Sequence, residues 1–136
     1  MEQERTAVTR LMTSGVLTVT TDTAVEDAAK TFLSEDVGSL VVVDENDHPV
    51  GVFTTTDLAK FVSDGELRAD TAVSQFMTNQ VVTIGTHNSL GDAAAKMIRY
   101  GIHHLPVVND DGSVAGMLST MDLTSYFSYT GGTDMI

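Results

Sequence analysis

Gly51-Val52-Phe53-Thr54-Thr55-Thr56-Asp57 and Gly116-Met117-Leu118-Ser119-Thr120-Met121-Asp122 are two copies of one pattern, 65 residues apart. In each, a glycine heads a short apolar run, a hydroxyl residue stands where the run gives out, and an aspartate follows three residues later. Such a stretch reads as a strand passing into a helix. The same offset aligns far more than the motif. It places Val8 on Val73, Met12-Thr13 on Met77-Thr78, Asp27-Ala28-Ala29 on Asp92-Ala93-Ala94, and Leu40, Val42 and Val43 on Leu105, Val107 and Val108. Over residues 8–59 there are 16 identities without a gap. The chain is an internal duplication, and its two halves should share one fold.

Outward from the motif, each half reads alike. An apolar-periodic segment opens it: Ala7, Val8, Leu11 and Met12, then Ala72, Val73, Phe76 and Met77. Short strands are expected at 16–19 and 81–84. Thr23-Ala24-Val25-Glu26 fits a capping box with Thr23 as N-cap, and Asn88 is the matching N-cap in the second half. The helices that follow place Val25, Ala28, Ala29, Phe32 and Leu33 on one face, and Leu90, Ala93, Ala94, Met97 and Ile98 on its counterpart. Gly101 suits a C-cap. Residues 40–43 and 105–108 are unbroken apolar runs, which implies strands buried on both faces. Asp44–Asp47 and Asn109–Gly112 are turns, leading to strands at 50–53 and 114–118 and helices at 56–62 and 121–127.

The fold class is therefore mixed α/β (α+β), with two pseudo-symmetric repeats, each a small sheet packed with helices. The expected boundaries are 6–62 and 71–128, with a linker at 63–70 and a tail at 129–136 that frays or docks on a partner. A half of about 60 residues buries only a marginal core alone. The halves are expected to pack on each other about a pseudo-twofold axis.

Composition narrows the function. The 136 residues carry 42% hydrophobic side chains, too many for a disordered chain, but no Trp and no Cys. Disulfides, a thiol nucleophile and Cys-based metal sites are excluded. No apolar run approaches 18 residues, so no membrane partner is expected, and the polar start Met1-Glu2-Gln3-Glu4 points to a cytoplasmic protein. The net charge of −12 repels phosphate backbones, which argues against nucleic acid. With 13 Asp and 3 Lys, that balance also suits a high-salt habitat.

The duplicated motif, the Gly101-Ile102-His103-His104-Leu105-Pro106-Val107-Val108 strand signature and the Met12-Thr13 and Met77-Thr78 openings together resemble a tandem pair of CBS domains. These are named for cystathionine β-synthase, and the pair is also called a Bateman module. The resemblance runs from about Thr6 to Phe127. It implies a regulatory module that senses an adenine ligand such as AMP, ADP, ATP or S-adenosylmethionine as an effector. It implies no catalysis and no cofactor.

The resemblance further implies two sites in the cleft between the repeats. In one, Asp57 meets the ribose, Thr54 and Thr56 lie near ribose or phosphate, and Val52 packs on the adenine, with Thr78, Val81, Ile102 and His103 from the other half. In the other, Asp122 meets the ribose with Ser119 beside it and Met117 on the adenine, and Thr13, Val16, Val37, Gly38 and Ser39 come from the first half. The Asp122 site is expected to hold the tighter ligand. In phosphate-binding relatives a basic residue often precedes the Asp or begins the second strand. Here Thr56 and Met121 precede the Asp, so that cation is missing, and His103 and His104 at the second-strand position are expected to replace it in part.

Elementary chemistry supports the assignment. A helix N-terminus offers free N–H groups and a positive dipole end to an anion, a hydroxyl donates to phosphate, and an ionised carboxylate accepts from a diol. The same Thr/Ser-x-x-Asp spacing also serves as a capping box that needs no ligand. Adjacent His103 and His104 point to opposite strand faces and do not chelate one metal. An adenosine sensor is the leading reading, and a dimerisation or scaffold module with vestigial sites is the alternative. A homodimer is expected through Leu58, Phe61, Val62, Leu123, Tyr126 and Phe127, with a further regulated protein unidentified.

Overall fold

In both repeats the unbroken apolar run forms the middle strand of a three-stranded sheet, the position where both faces are covered. The computed structural model describes residues 5–65, 68 and 70–131. Its elements are β1 (Thr18–Thr20), α1 (Val25–Glu35), β2 (Ser39–Val43), β3 (Pro49–Thr54) and α2 (Thr55–Asp64), then β4 (Ile84–Gly85), α3 (Leu90–Tyr100), β5 (His104–Val108), β6 (Val114–Ser119) and α4 (Thr120–Gly131). The sheets run β1-β2-β3 and β4-β5-β6. In each, the first pair is parallel and the second antiparallel, with a register shift at Val42/Val43 and again at Val107/Val108. The fold is mixed α+β, as the repeat implied.

The chain divides into two compact units, and these are not the two repeats cut at a linker. One is Leu17–Val81, and the other joins residues 5–16 to 82–131. In the Leu17–Val81 unit the leading segment of the second repeat completes the first. Val25 N donates to Thr71 O at 2.7 Å, Val73 N to Thr23 O at 2.8 Å, and Thr78 and Val52 exchange two bonds at 3.0 Å. In the other unit the leading segment of the first repeat does the same for the second. Leu90 N donates to Thr6 O at 2.7 Å, Val8 N to Asn88 O at 2.9 Å, and Thr13 and Met117 exchange bonds of 2.9 and 3.1 Å.

Each unit has its own core. Leu17–Val81 buries Val25, Ala28, Phe32, Leu40, Val42, Phe53, Phe61 and Val73 together, with Phe32 stacked on Phe53 at 5.8 Å and Phe61 edge-on to Phe76 at 5.3 Å. The other buries Val8, Ile84, Leu90, Ala93, Met97, Leu105, Val107, Leu118 and Leu123. At the repeat-equivalent positions Met97 and Leu118 replace the stacked phenylalanines, so aliphatic packing does the same work.

Several local expectations are corrected. Thr23 does not cap α1. The N-cap is Ala24, without a side-chain bond, because Thr71 O takes the Val25 N–H, while Thr23 Oγ1 accepts from Thr20 N at 3.1 Å. Glu26 faces Lys30 one turn on, at 3.9 Å. Asn88 does not cap α3 either. Ser89 does, in a capping box with Asp92, and Asn88 Oδ1 accepts from Gly85 N. The N–H of Ser89, donated to Asp92, leads the causes that hold that carboxyl below its usual range. Leu33 and Ile98 are 85% and 83% exposed rather than buried. At 100° per residue Leu33 lies about 80° round from Val25, outside the seam that Val25, Ala28 and Phe32 make. Phe61 and Leu123, expected on an exposed face, are core residues. The edge strands start late, at Thr18 and Ile84, because only there do they meet the middle strand.

Gly101 is the left-handed C-cap it was expected to be, with φ 62°. Helix α2 extends through Asp64, and Gly65 caps it. Of the expected linker, residues 66, 67 and 69 lie outside the described residues, as do 132–136 of the expected tail, whose start is the end of α4. Among the described residues no helix is long and apolar enough to cross a membrane.

Candidate functional site

The two motif copies stand at the junctions β3–α2 and β6–α4, one in each unit. In the Leu17–Val81 unit Thr54 is the N-cap of α2, in extended conformation, and forms a full capping box with Asp57. Thr54 N donates to Asp57 Oδ2 at 2.8 Å, Thr54 Oγ1 donates to the same oxygen at 3.1 Å, and Asp57 N donates to Thr54 Oγ1 at 3.3 Å. In the other unit Ser119 N donates to Asp122 Oδ2 at 2.8 Å and Asp122 N to Ser119 Oγ at 3.0 Å.

Both aspartates therefore cap their own helices. Each does so with one oxygen, and no hydrogen bond reaches Oδ1 of either from the described residues. The junctions also differ. Asp57 is 4% exposed, whereas Asp122 is half-buried. The Thr54 hydroxyl proton is committed to Asp57, whereas among the described residues that of Ser119 is committed to none.

The turn before the middle strand holds the first helical turn. Gly38 O accepts from Thr55 N at 3.1 Å, and His103 O from Thr120 N at 2.9 Å. The sheet sets Ser39 opposite Thr54, and His104 opposite Ser119. Burial pushes the His104 imidazole below its usual value of 6.5, His103 acts in the same direction, and Asp122 pulls it up.

Within single units, the structure thus brings together much of what the sequence selected. Thr13, Met117, Ser119 and Asp122 meet through the Thr13–Met117 bridge and the capping box, and Val16 belongs to the same unit. Thr78, Val52, Thr54 and Asp57 meet likewise, and Thr56 and Val81 share their unit. Val37, Gly38 and Ser39, expected beside Asp122, adjoin Thr54 within their own unit, and Ile102 and His103, expected beside Asp57, adjoin Ser119 together with His104. Val52 and Met117 are buried, Thr13, Thr56 and Thr78 exposed.

The role of Gly51 and Gly116 was missed. A Cβ on Gly116 would lie 2.6 Å from Met12 Sδ and 2.8 Å from Thr13 O, and a Cβ on Gly51 would meet Met77 and Thr78 in the same way. The motif glycine is there to seat the Met-Thr segment. Its signal in the sequence was the joint recurrence of Met-Thr and Gly at one offset. A polar depression of about 370 Å³ lined by Asp64, Arg68, Asp70, Thr71, Gln75 and Phe76 lies at the other end of α2 and holds none of the motif residues.

A family model described as CBS domain matches residues 8–64 and again 73–129. An uncharacterised 17.7 kDa protein of Acidianus ambivalens is 31% identical over 87% of this chain and 71% of its own length. Other relatives are longer. The chain spans 56% of an uncharacterised Methanopyrus kandleri protein at 34% identity, and 24% of a homoserine O-acetyltransferase of Methanococcus vannielii at 29%. Among solved structures, the CBS domain pair of protein MJ0100 in complex with 5′-methylthioadenosine and S-adenosyl-L-methionine superposes with TM-score 0.82 at 26% identity, covering 92% of this chain and 98% of that one. CBSX2 in complex with AMP superposes with TM-score 0.77 at 26% identity, covering 89% and 95%.

Proposed function

The chain belongs to the CBS-domain family, and on that premise we propose that it is a regulatory module that binds an adenosine-type ligand at its strand–helix junctions and performs no catalysis of its own. The observation that carries this reading is the half-used carboxylate. Asp57 and Asp122 each spend Oδ2 on the cap and keep Oδ1 for a further donor, at the positive dipole end of a helix. A ribose diol supplies two such donors. The relatives in complex with 5′-methylthioadenosine, S-adenosyl-L-methionine and AMP support the ligand class.

Ligand binding then biases how the module pairs with a second copy or with a regulated protein. The site on the Ser119–Asp122 side is the tighter one in this reading, because its carboxylate is more accessible and its hydroxyl proton is uncommitted. The absence of Lys and Arg from both motifs disfavours a triphosphate.

A second reading, a pairing scaffold without ligand, is favoured by the closed capping boxes, which account for Thr54, Asp57, Ser119 and Asp122 as they stand. A thermal-shift panel of AMP, ATP, 5′-methylthioadenosine and S-adenosylmethionine, at low and molar KCl, separates the two. A ligand at 100 times its Kd adds about 2.7 kcal/mol. No shift with any of them at either salt leaves the scaffold.

A further inference from the structure

Across the sheet, the residues that face the two motif hydroxyls differ in kind. Opposite Thr54 stands Ser39, preceded by Gly38; opposite Ser119 stands His104, preceded by His103. Directly opposed residues of an antiparallel pair project to the same face, so the His104 imidazole shares a face with the Ser119 side chain. Asp122 is close enough to act on its charge.

The charged groups on the regular elements of this unit nearest β5 have partners of their own or are Asp122. On α3, Asp92 sits in its cap, Lys96 Nζ donates to Thr83 O at 2.6 Å, and Arg99 lies over the Tyr100 ring at 5.5 Å. Strands β4 and β6 carry none, and on α4 the group is Asp122. Tyr126 lies on α4, Arg10 in the leading segment, and beyond β5 Asp110 faces His87 at 3.3 Å; His103, exposed, is the titratable neighbour that acts on His104. The groups that act on the His104 charge are Asp122 and His103, while the residues opposite Thr54 within its own unit, Gly38 and Ser39, carry no charge.

We propose that His104 makes the Ser119–Asp122 junction choose among adenosine ligands by charge, and that its protonation inverts the choice. With the imidazole neutral, the junction carries one negative charge and favours a neutral or cationic substituent on the ribose. With the imidazolium formed, it accepts an anionic one. This rests on the reading that an adenosine ribose meets Asp122. Partial burial favours the neutral ring. An anion bound beside the ring favours its protonation, and each unit by which the His104 pKa rises is worth up to about tenfold in affinity on acidification. The Thr54–Asp57 junction has Ser39 in place of His104 within its own unit and supplies a background without this imidazole.

The test is calorimetry of AMP and 5′-methylthioadenosine at pH 7.5 and 5.5, with the parent chain and His104→Gln. The phosphate of AMP itself titrates near pH 6, and comparison with the variant removes that contribution. The AMP-to-thioether affinity ratio is expected to rise about fivefold more on acidification in the parent than in the variant. In the parent, the His104 ring resonances should titrate at higher pH with AMP bound than without it, and should not rise with the thioether. Equal changes in parent and variant, with both ligands bound, overturn the inference and leave the functional reading intact. If neither ligand binds the parent at either pH, both fall. Should the variant not fold, the ring titration in the parent decides.

Discussion

The sulfur of Met12 fills the space that a Cβ on Gly116 would need, 2.6 Å from where that atom would stand. Thr13 O closes the same space from the backbone side at 2.8 Å, so the Thr13–Met117 bridge exists only because position 116 has no side chain.

Gly116→Ala is therefore expected to destabilise the chain by about 1–3 kcal/mol, the usual cost of overpacking. Met12→Ala in the same background should recover part of the loss, since the thioether can yield and the Thr13 carbonyl cannot. Denaturant unfolding of the two single variants and the double measures the coupling. Additive effects would show that Met12 and Gly116 do not meet.

Asp122→Ala is expected to weaken the adenosine ligand about 10- to 150-fold, the loss of a charge-assisted hydrogen bond worth about 1.5–3 kcal/mol. Asp57→Ala should cost less for that ligand and more for the fold, because Asp57 is buried and receives both the amide and the hydroxyl of Thr54. Its cap alone is worth about 1 kcal/mol. Calorimetry beside thermal unfolding checks both. Unchanged binding in both folded variants would leave the carboxylates with capping as their whole role.

The pH dependence of stability carries a definite sign. His104 has its pKa depressed in the fold, so below 6.5 the unfolded chain takes up the proton first and stability falls as pH falls. The stability of His104→Gln should be flatter than the parent's between pH 7.5 and 5.5. In Asp122→Asn the imidazole loses the group that raises its pKa, and its ring resonances should titrate at lower pH still. An unchanged titration would separate the two residues.

Val62 and Phe127 are exposed apolar residues at equivalent positions of the repeat, as are Leu33 and Ile98. We expect light scattering at tens of micromolar to give a dimer of the 14.5 kDa chain, in low and high salt. Val62→Ser with Phe127→Ser should move it to a monomer. A monomeric parent under both conditions refutes the expectation.

The fold was legible because duplication repeats every signal. The middle strands, the hairpin turns and the Gly101 cap each follow from a local run or a single residue type. What stayed hidden depends on partners distant in sequence. Thr23 looks like an N-cap because nothing local reveals that Thr71 O will take the Val25 N–H. The exchange of leading segments was invisible for a stronger reason. Ala7-Val8-Thr9-Arg10-Leu11-Met12-Thr13 and Ala72-Val73-Ser74-Gln75-Phe76-Met77-Thr78 present the same apolar pattern, so either fits either repeat. The candidate site was readable to the level of Ser119 and Asp122, but that each Asp caps with one oxygen and keeps the other is a matter of coordinates.

The exchanged segments also order events during translation. Residues 17–81 are contiguous, and once they leave the ribosome every strand and cap of that unit is available. Val8 must instead wait for Asn88, 80 residues downstream, and Thr13 for Met117. Long loops are slow to close. The usual vectorial order, in which the first-made residues fold first, is thus reversed here for the opening segment. Val8 meets its native partner only once Asn88 is made, and Met12 only once Gly116 in β6 is made.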